Sequence, residues 1–164
     1  DEYGASLALL PAPSPGWGRM GPSLLVDRSK GINMKIDHIG IVVRDIQQAL
    51  HVYETALGLS LGEVTEVPDQ QVRVAFLPIG ESNLELVQPT TNDSGIARYL
   101  AKRGEGIHHL CIEVRDIEGA LAQLKDHDVR LIDETPRQGA HGRVAFIHPK
   151  GAHGVLNELV EHDD

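Results

Sequence analysis

Two histidines and two glutamates recur as matched pairs. His38 stands in IDHIGIVV and His109 in IHHLCIEV, 71 residues later; Glu85 stands in NLELV and Glu158 in LNELV, 73 residues later. Each lies in a largely apolar stretch that reads as a strand. A carboxylate in the middle of a buried strand is unfavourable unless it is paired or bound to a metal. Side chains alternate along a strand, so Leu84 and Leu86 face one way and Glu85 the other. Two imidazoles and two carboxylates on facing strands suit one divalent first-row ion with nitrogen and oxygen ligands. Four protein ligands on an octahedral ion leave two adjacent positions, enough to chelate a substrate. One such histidine or glutamate alone reads as structural. Two copies of the same pair point to a metal site at His38, Glu85, His109 and Glu158.

The elements that position these residues are themselves written twice. IDHIGIVVRDIQQAL and IHHLCIEVRDIEGAL share the register of strand, Asp N-cap and helix. Residues 35–43 read as a strand. Asp45 caps a helix with Ile46, Ala49, Leu50, Tyr53 and Leu57 on one stripe, and Gly58 ends it. Strands follow near 60–66, 71–78 and 82–88, with turns at Pro68-Asp69 and Gly80-Glu81. After a linker over 89–105, where Asp93 or Ser94 caps a short helix bearing Ile96, Tyr99 and Leu100, the order repeats. A strand at 107–114 leads to a helix capped by Asp116 and carrying Ile117, Ala120, Leu121 and Leu124. Strands are expected near 129–134, 142–148 and 154–161. The expected class is α+β: two paired βαβββ modules, about 35–88 and 106–161, forming a cupped mixed sheet around the metal site. A repeated cup-facing residue then meets its twin across a pseudo-twofold axis.

The rest of the chain limits the partners. It has 164 residues, 41% hydrophobic and 24% charged, the make-up of an ordinary globular protein. Its net charge of −9 without a dense basic cluster argues against nucleic acid and anionic membranes. No apolar run approaches the roughly 18 residues of a membrane span. Cys111 is the only cysteine, which fits a reducing, cytoplasmic setting. Residues 1–33 lack a sustained period, are rich in Pro, Gly and Ser, and balance three acids against three bases. They read as a disordered or loosely docked leader of cloning or untranslated origin, ahead of one domain over 34–164.

The other histidines are weaker ligand candidates, and those of FIHPKGAHG read as turn residues or else as lining of the cup mouth. His108 has the opposite strand parity to His109 and is expected to face the helix layer. His51 and His127 lie on or beside helices, His141, His148 and His153 in turns, and His162 in the tail.

Four stretches carry a family resemblance: MKIDHIGIVVRDIQQALHVYETALG, VRVAFLPIGESNLELVQPT, DSGIARYLAKRGEGIHHLCIEVRDIEGAL and FIHPKGAHGVLNELVE. They resemble the vicinal oxygen chelate superfamily, which pairs βαβββ modules around one metal. GEGIHHLCIEV, HPKG and GVLNEL are most similar to the methylmalonyl-CoA epimerases within it. The resemblance implies interconversion of (2R)- and (2S)-methylmalonyl-CoA through a metal-stabilised enolate, with an acyl-CoA substrate and a homodimeric protein. It puts the metal ligands on His38, Glu85, His109 and Glu158, with Co2+ expected and Mn2+, Ni2+, Zn2+ or Mg2+ compatible. It makes Glu158 the general base. The second base stays open between Glu85, a loop acid (Glu63, Glu66 or Asp69) and a water, because the position of a second glutamate in certain members aligns with Val74. Lys102, Arg103, Arg143 and Lys150 are the nearest cations for a polyanionic substrate, or else ordinary surface charges. Rival readings are a glyoxalase I-type lactoylglutathione lyase, an extradiol-type dioxygenase and a metal-free binding protein on the same scaffold.

Overall fold

The computed structural model describes residues 34–139 and 141–163. The expected leader over 1–33 lies outside the described residues. Strand β1 (Lys35–Val42) runs into α1 (Ile46–Leu50), whose N-cap Asp45 accepts a hydrogen bond from the Gln48 N–H. Strands β2 (Val64–Val67), β3 (Val72–Ile79) and β4 (Ser82–Pro89) complete module one. Helix α2 (Gly95–Arg103) follows, capped by Ser94. Module two repeats the order with β5 (Gly106–Glu113), α3 (Ile117–Asp126, capped by Asp116), β6 (Arg137–Gln138), β7 (Gly142–Ile147) and β8 (Asn157–His162).

All eight strands form one mixed sheet in the order β2-β3-β4-β1-β5-β8-β7-β6. Read from the centre, the order is symmetric. β1 and β5 pair antiparallel at the seam, and each also pairs in parallel with the last strand of its own module, β4 or β8. The helices are tied to those last strands by matched contacts. Gln88 at the end of β4 accepts from the Ile46 N–H, and Glu161 near the end of β8 accepts from the Ile117 N–H. Each contact satisfies a first-turn donor that the helix itself leaves unpaired.

Strand alternation sorts the side chains into two faces. On the outer face, Val43, Ala75, Leu77 and Leu86 pack with Ile46 and Leu50 of α1, while Val114, Ala145, Ile147 and Leu159 pack with Ile117 and Leu121 of α3. The inner face carries His38, Val74, Glu85 and Val87 on module one. Helix α2 closes one end of it, setting Ile96, Tyr99 and Leu100 against Val42, Val72, Val74 and Val87.

The elements depart from expectation in four places. The first helix continues from His51 to Ala56 as a wider π-type turn, with the Leu57 N–H bonded to the Val52 carbonyl. The extra residue per turn rotates Leu57 off the buried stripe, where it is 65% exposed. The strand expected at 60–66 begins only at Val64, although Gly62 and Glu63 already exchange backbone bonds with Phe76. The expected strand at 129–134 is absent, and the edge strand is β6. Ile132 and Asp133 both donate to the Phe146 carbonyl while the Asp133 carboxylate accepts from the Phe146 N–H, so this stretch is held to β7 without a ladder. The last strand starts at Asn157, because Gly154 (φ 95°) closes a turn onto the Pro149 carbonyl.

Leu86 is fully buried between β3, β1 and α1. Leu86→Ala is expected to cost about 2–5 kcal/mol, read as a lower urea midpoint. A loss well under about 1 kcal/mol would mean that this layer does not hold α1 to the sheet.

Candidate metal and catalytic site

The seam brings the four repeated residues together. His38 Nε2 and His109 Nε2 are 3.1 Å apart. Glu85 Oε2 lies 3.4 Å from each, and Glu158 Oε2 lies 3.2 Å from His109 Nε2 and 3.7 Å from His38 Nε2. Neighbouring ligands held about 2.1 Å from one octahedral ion stand about 3 Å apart. The two imidazoles and Glu85 form one such group, Glu158 stands beside both imidazoles, and all four residues are buried.

The ladder explains the convergence. His38 stands opposite Cys111, and His109 stands opposite Gly40. Each imidazole thus faces a small residue across the seam. At Gly40 this is obligatory, since a β-carbon there would lie 2.1 Å from the His109 ring. Glu85 is opposite Phe76 and Gly40, and Glu158 is opposite Phe146 and Cys111. Phe76 and Phe146 stand edge-on to His38 and His109 at 6.0 and 6.2 Å.

Two bulges supply what the period-2 pattern misses. The register shifts between Ile36 and His38, and again between Gly40 and Ile41, leaving Asp37 on β1 and His108 on β5 unpaired in the ladder. A bulge re-aims the extra side chain, and both residues turn into the cup beside the histidine that follows. His38 Nδ1–H donates to Asp37 Oδ1 at 2.7 Å, and His108 Nδ1 lies 3.0 Å from His109 Nδ1. The expectation that His108 faces the outer helices is therefore corrected. It lines the cavity and stacks edge-on to Tyr99 of α2 at 4.6 Å. Asp37 and His108 occupy the same place in the two repeats, so module one backs its imidazole with a carboxylate and module two with a second imidazole.

The electrostatics follow from these partners. Burial disfavours the Asp37 and Glu158 carboxylates, but hydrogen bonds from His38 and His162 on the first, and from His109 and His38 on the second, hold both at about 2. Burial likewise opposes protonation of His38 and His109. Asp37, Glu85 and Glu158 outweigh it, raising His38 strongly and His109 to about 9. His108 moves the other way, to about 4, through burial and the charge of His109. It is neutral at pH 7 and can accept the His109 Nδ1–H, which leaves both Nε2 atoms aimed at the carboxylates. Burial pushes the Cys111 thiol up to about 12, so it stays neutral.

The cluster forms the floor of a cavity of about 710 Å³, open mouth included, walled by Val74, Phe76, Val144 and Phe146. His162 is corrected from a tail residue to a structural one. Its Nε2 binds Asp37 Oδ2 at 2.7 Å and its Nδ1–H donates to the His141 carbonyl at 2.9 Å. His141 lies at the mouth, edge-on to Phe76 at 5.0 Å, with its Nε2 4.0 Å from Glu63. Glu66 is exposed and paired with Arg73, and Asp69 lies exposed in the turn after β2. Arg143 braces α3 to β8 through Glu118 and Glu161. Lys102 and Arg103 end α2, and Lys150 lies in a turn. The sequence reading passed over Arg137, whose guanidinium carbon stands 5.3 Å from the Phe146 ring centre. A basic residue beside a stretch of turn residues gave no signal of that contact.

The symmetric curled sheet of paired βαβββ modules, with two histidines and two carboxylates at its floor, is the architecture of the family that the chain matches. The chain belongs to the Glyoxalase/Bleomycin resistance protein/Dioxygenase superfamily, which it matches over residues 37–146. It is 39% identical over 127 residues to the mitochondrial methylmalonyl-CoA epimerase of Bos taurus, covering 76% of this chain and 73% of that one. It is 38% identical to the ethylmalonyl-CoA/methylmalonyl-CoA epimerase of Cereibacter sphaeroides, covering 76% and 96%. A solved methylmalonyl-CoA epimerase in complex with methylmalonyl-CoA and NH4+ is 38% identical, superposes with a TM-score of 0.74, and is matched over 79% of this chain and 94% of that one. These relatives put the chain with an isomerase class, the racemases and epimerases. Among the described residues no helix is long and apolar enough to cross a membrane.

The donor set fits a divalent ion, and the backing of His38 by Asp37 is testable. Asp37→Asn is expected to weaken metal binding about 10–100-fold by competition titration. The raised imidazoles hold protons that a cation must displace, so loading should release protons. Affinity should fall with falling pH, by about tenfold per unit for each proton displaced. Binding that is independent of pH and of Asp37 would contradict this picture of the cluster.

Proposed function

We propose that the protein interconverts (2R)- and (2S)-methylmalonyl-CoA, with His38, Glu85, His109 and Glu158 holding one divalent ion. The observation that carries the reading is the convergence of those four side chains at the floor of a cavity with apolar walls, in a chain 38–39% identical to methylmalonyl-CoA epimerases. Co2+ is the proposed ion, and Mn2+, Ni2+, Zn2+ and Mg2+ suit the same donors.

The hard step is removal of the α-proton beside a thioester. A divalent ion there supplies Lewis acidity toward the thioester and carboxylate oxygens. The chain's own residues do the rest. Glu158, held anionic at the floor, takes the α-proton, and the electron pair of the broken C–H bond enters an enolate. Val74, Phe76, Val144 and Phe146 keep water from the acidified carbon. Asp37 and His108 fix the two imidazoles, so the carboxylates keep their places as charge moves. Glu85, related to Glu158 by the pseudo-twofold axis, holds the opposite side of the cluster.

A cytoplasmic homodimer is part of the same proposal. Cys111 is buried and unpaired. Ile107, Ile132 and Val155 gather at one surface groove and stay exposed at 70%, 52% and 48%, the kind of apolar patch that marks an interface.

Glu158→Gln is expected to lower epimerisation of a single stereoisomer by about 100- to 10,000-fold while the protein keeps its fold. A variant at the parent rate would remove Glu158 from the role. The same parent protein, offered methylglyoxal–glutathione hemithioacetal, should turn it over far more slowly than methylmalonyl-CoA. The reverse preference would favour a lactoylglutathione lyase.

A further inference from the structure

Inverting a carbon acid needs proton transfer at both faces of the carbon, and Glu158 can serve only one. Glu85 shares the floor with Glu158 and contacts the same two imidazoles. Glu66 is tied to Arg73, and Asp69 is exposed in its turn. Among the described residues, the titratable side chains lining the cavity are the four floor residues, Asp37, His108, His141 and His162. Asp37 and His108 are bonded to the floor imidazoles, and His162 is bonded at both nitrogens. His141 alone in that set has its imidazole clear of the cluster and its supports.

The backbone that carries His141 is held from two directions. The Gly139 N–H donates to the Gly142 carbonyl at 2.7 Å, and His162 donates to the His141 carbonyl. Gly142, at φ 145°, packs against β8 so closely that a β-carbon would lie 2.1 Å from the Glu161 carbonyl oxygen. Only glycine lets the start of β7 pack there.

The ring direction matters most. His141 belongs to module two by sequence, yet its ring stacks on Phe76 of module one. Phe76 is itself edge-on to His38, one ring deeper. Glu158 rises on the other side, paired with Phe146 in the β7–β8 ladder. His141 stands beside Phe76 above the floor, whereas Glu158 stands on the floor beside the symmetry-related Phe146, so the two lie on opposite sides of the pseudo-twofold axis. The module-one wall otherwise offers Val72, Val74 and Val87, none of which carries a proton. The connection before β3 brings only Gln70 to the lining. On that side the duplication supplies only Glu85, which contacts both floor imidazoles, and His141 crosses over to the same side clear of those contacts.

We propose that His141 is the second proton-transfer group, serving the face of the substrate carbon turned away from Glu158. The inference rests on the epimerase reading given above. From one stereoisomer, the Glu158 carboxylate takes the α-proton and the C–H electron pair enters the enolate. The His141 imidazolium then gives a proton to the opposite face as the pair returns to form the new C–H bond. Glu158 ends protonated and His141 neutral. The other stereoisomer follows the same path in reverse from that state, and solvent resets both groups.

The test uses metal-loaded protein, each stereoisomer of methylmalonyl-CoA separately, and D2O. Deuterium at C2 and configuration at C2 are followed together. In the parent protein label and inversion should appear from both stereoisomers. His141→Gln is expected to slow inversion by about 100-fold or more. The stereoisomer whose α-hydrogen faces Glu158 should still exchange it with retention of configuration, while the other loses exchange as well. His141→Gln that inverts at the parent rate, or that loses exchange in equal proportion from both stereoisomers, overturns the proposal. If that variant does not fold, His141→Ala is read by the same split. A parent protein that neither exchanges nor inverts either stereoisomer defeats the epimerase reading itself, and this inference with it.

Discussion

Two imidazole nitrogens held 3.1 Å apart at a strand seam are the constraint on which the structure turns. Two buried bases at that distance repel if both are charged and leave polar atoms unsatisfied if both are neutral. Two buried carboxylates relieve this, and a shared cation relieves it further by displacing protons from the nitrogens. Much of the fold serves that arrangement. The antiparallel β1–β5 pairing sets each histidine across from a small residue, Gly40 or Cys111. The parallel pairs β1–β4 and β5–β8 place each glutamate beside the other module's histidine position. The helices, anchored through Gln88 and Glu161, hold those last strands in register from behind.

Symmetry governs the floor of the site and fails at its margins. The floor repeats: two histidines, two glutamates and two edge-on phenylalanines. The supports do not, since Asp37 in one module is His108 in the other. The walls do not either, since His141 stands over Phe76 whereas Arg137 stands over Phe146. A duplicated scaffold can hold a cation by symmetry. Distinguishing the two faces of a substrate carbon needs asymmetry, and the differences are concentrated around the mouth and in the second layer.

The metal-site candidates and both helix caps were legible in the sequence because each depends on a local period or on repetition. Alternation along IDHIG and NLELV put His38 and Glu85 on the inner face, and Asp45 and Asp116 cap as their positions demand. His108 was misread, and Asp37 carried no signal, because a bulge breaks the period of two and the pairing partner that creates it lies far along the chain. Leu57 was placed on the buried stripe because a π-type turn changes the helical period without an obvious residue signal. His162 and His141 gained their roles from contacts 125 and 21 residues away in sequence, of His162 with Asp37 and of His162 with the His141 carbonyl. Nothing local in the sequence encodes those contacts. The repeated position shared by Asp37 and His108 was nonetheless in plain view, one residue ahead of each histidine.

The central claim is that two half-sites make one ion-dependent site for proton removal. It is tested most directly by titrating a divalent ion into chelator-stripped protein while following deuterium uptake at C2 of methylmalonyl-CoA. The account predicts that uptake rises with added ion, levels off at about one ion per chain, and disappears when chelator is restored. Uptake at full rate in the stripped protein, unchanged by ion or chelator, would contradict it.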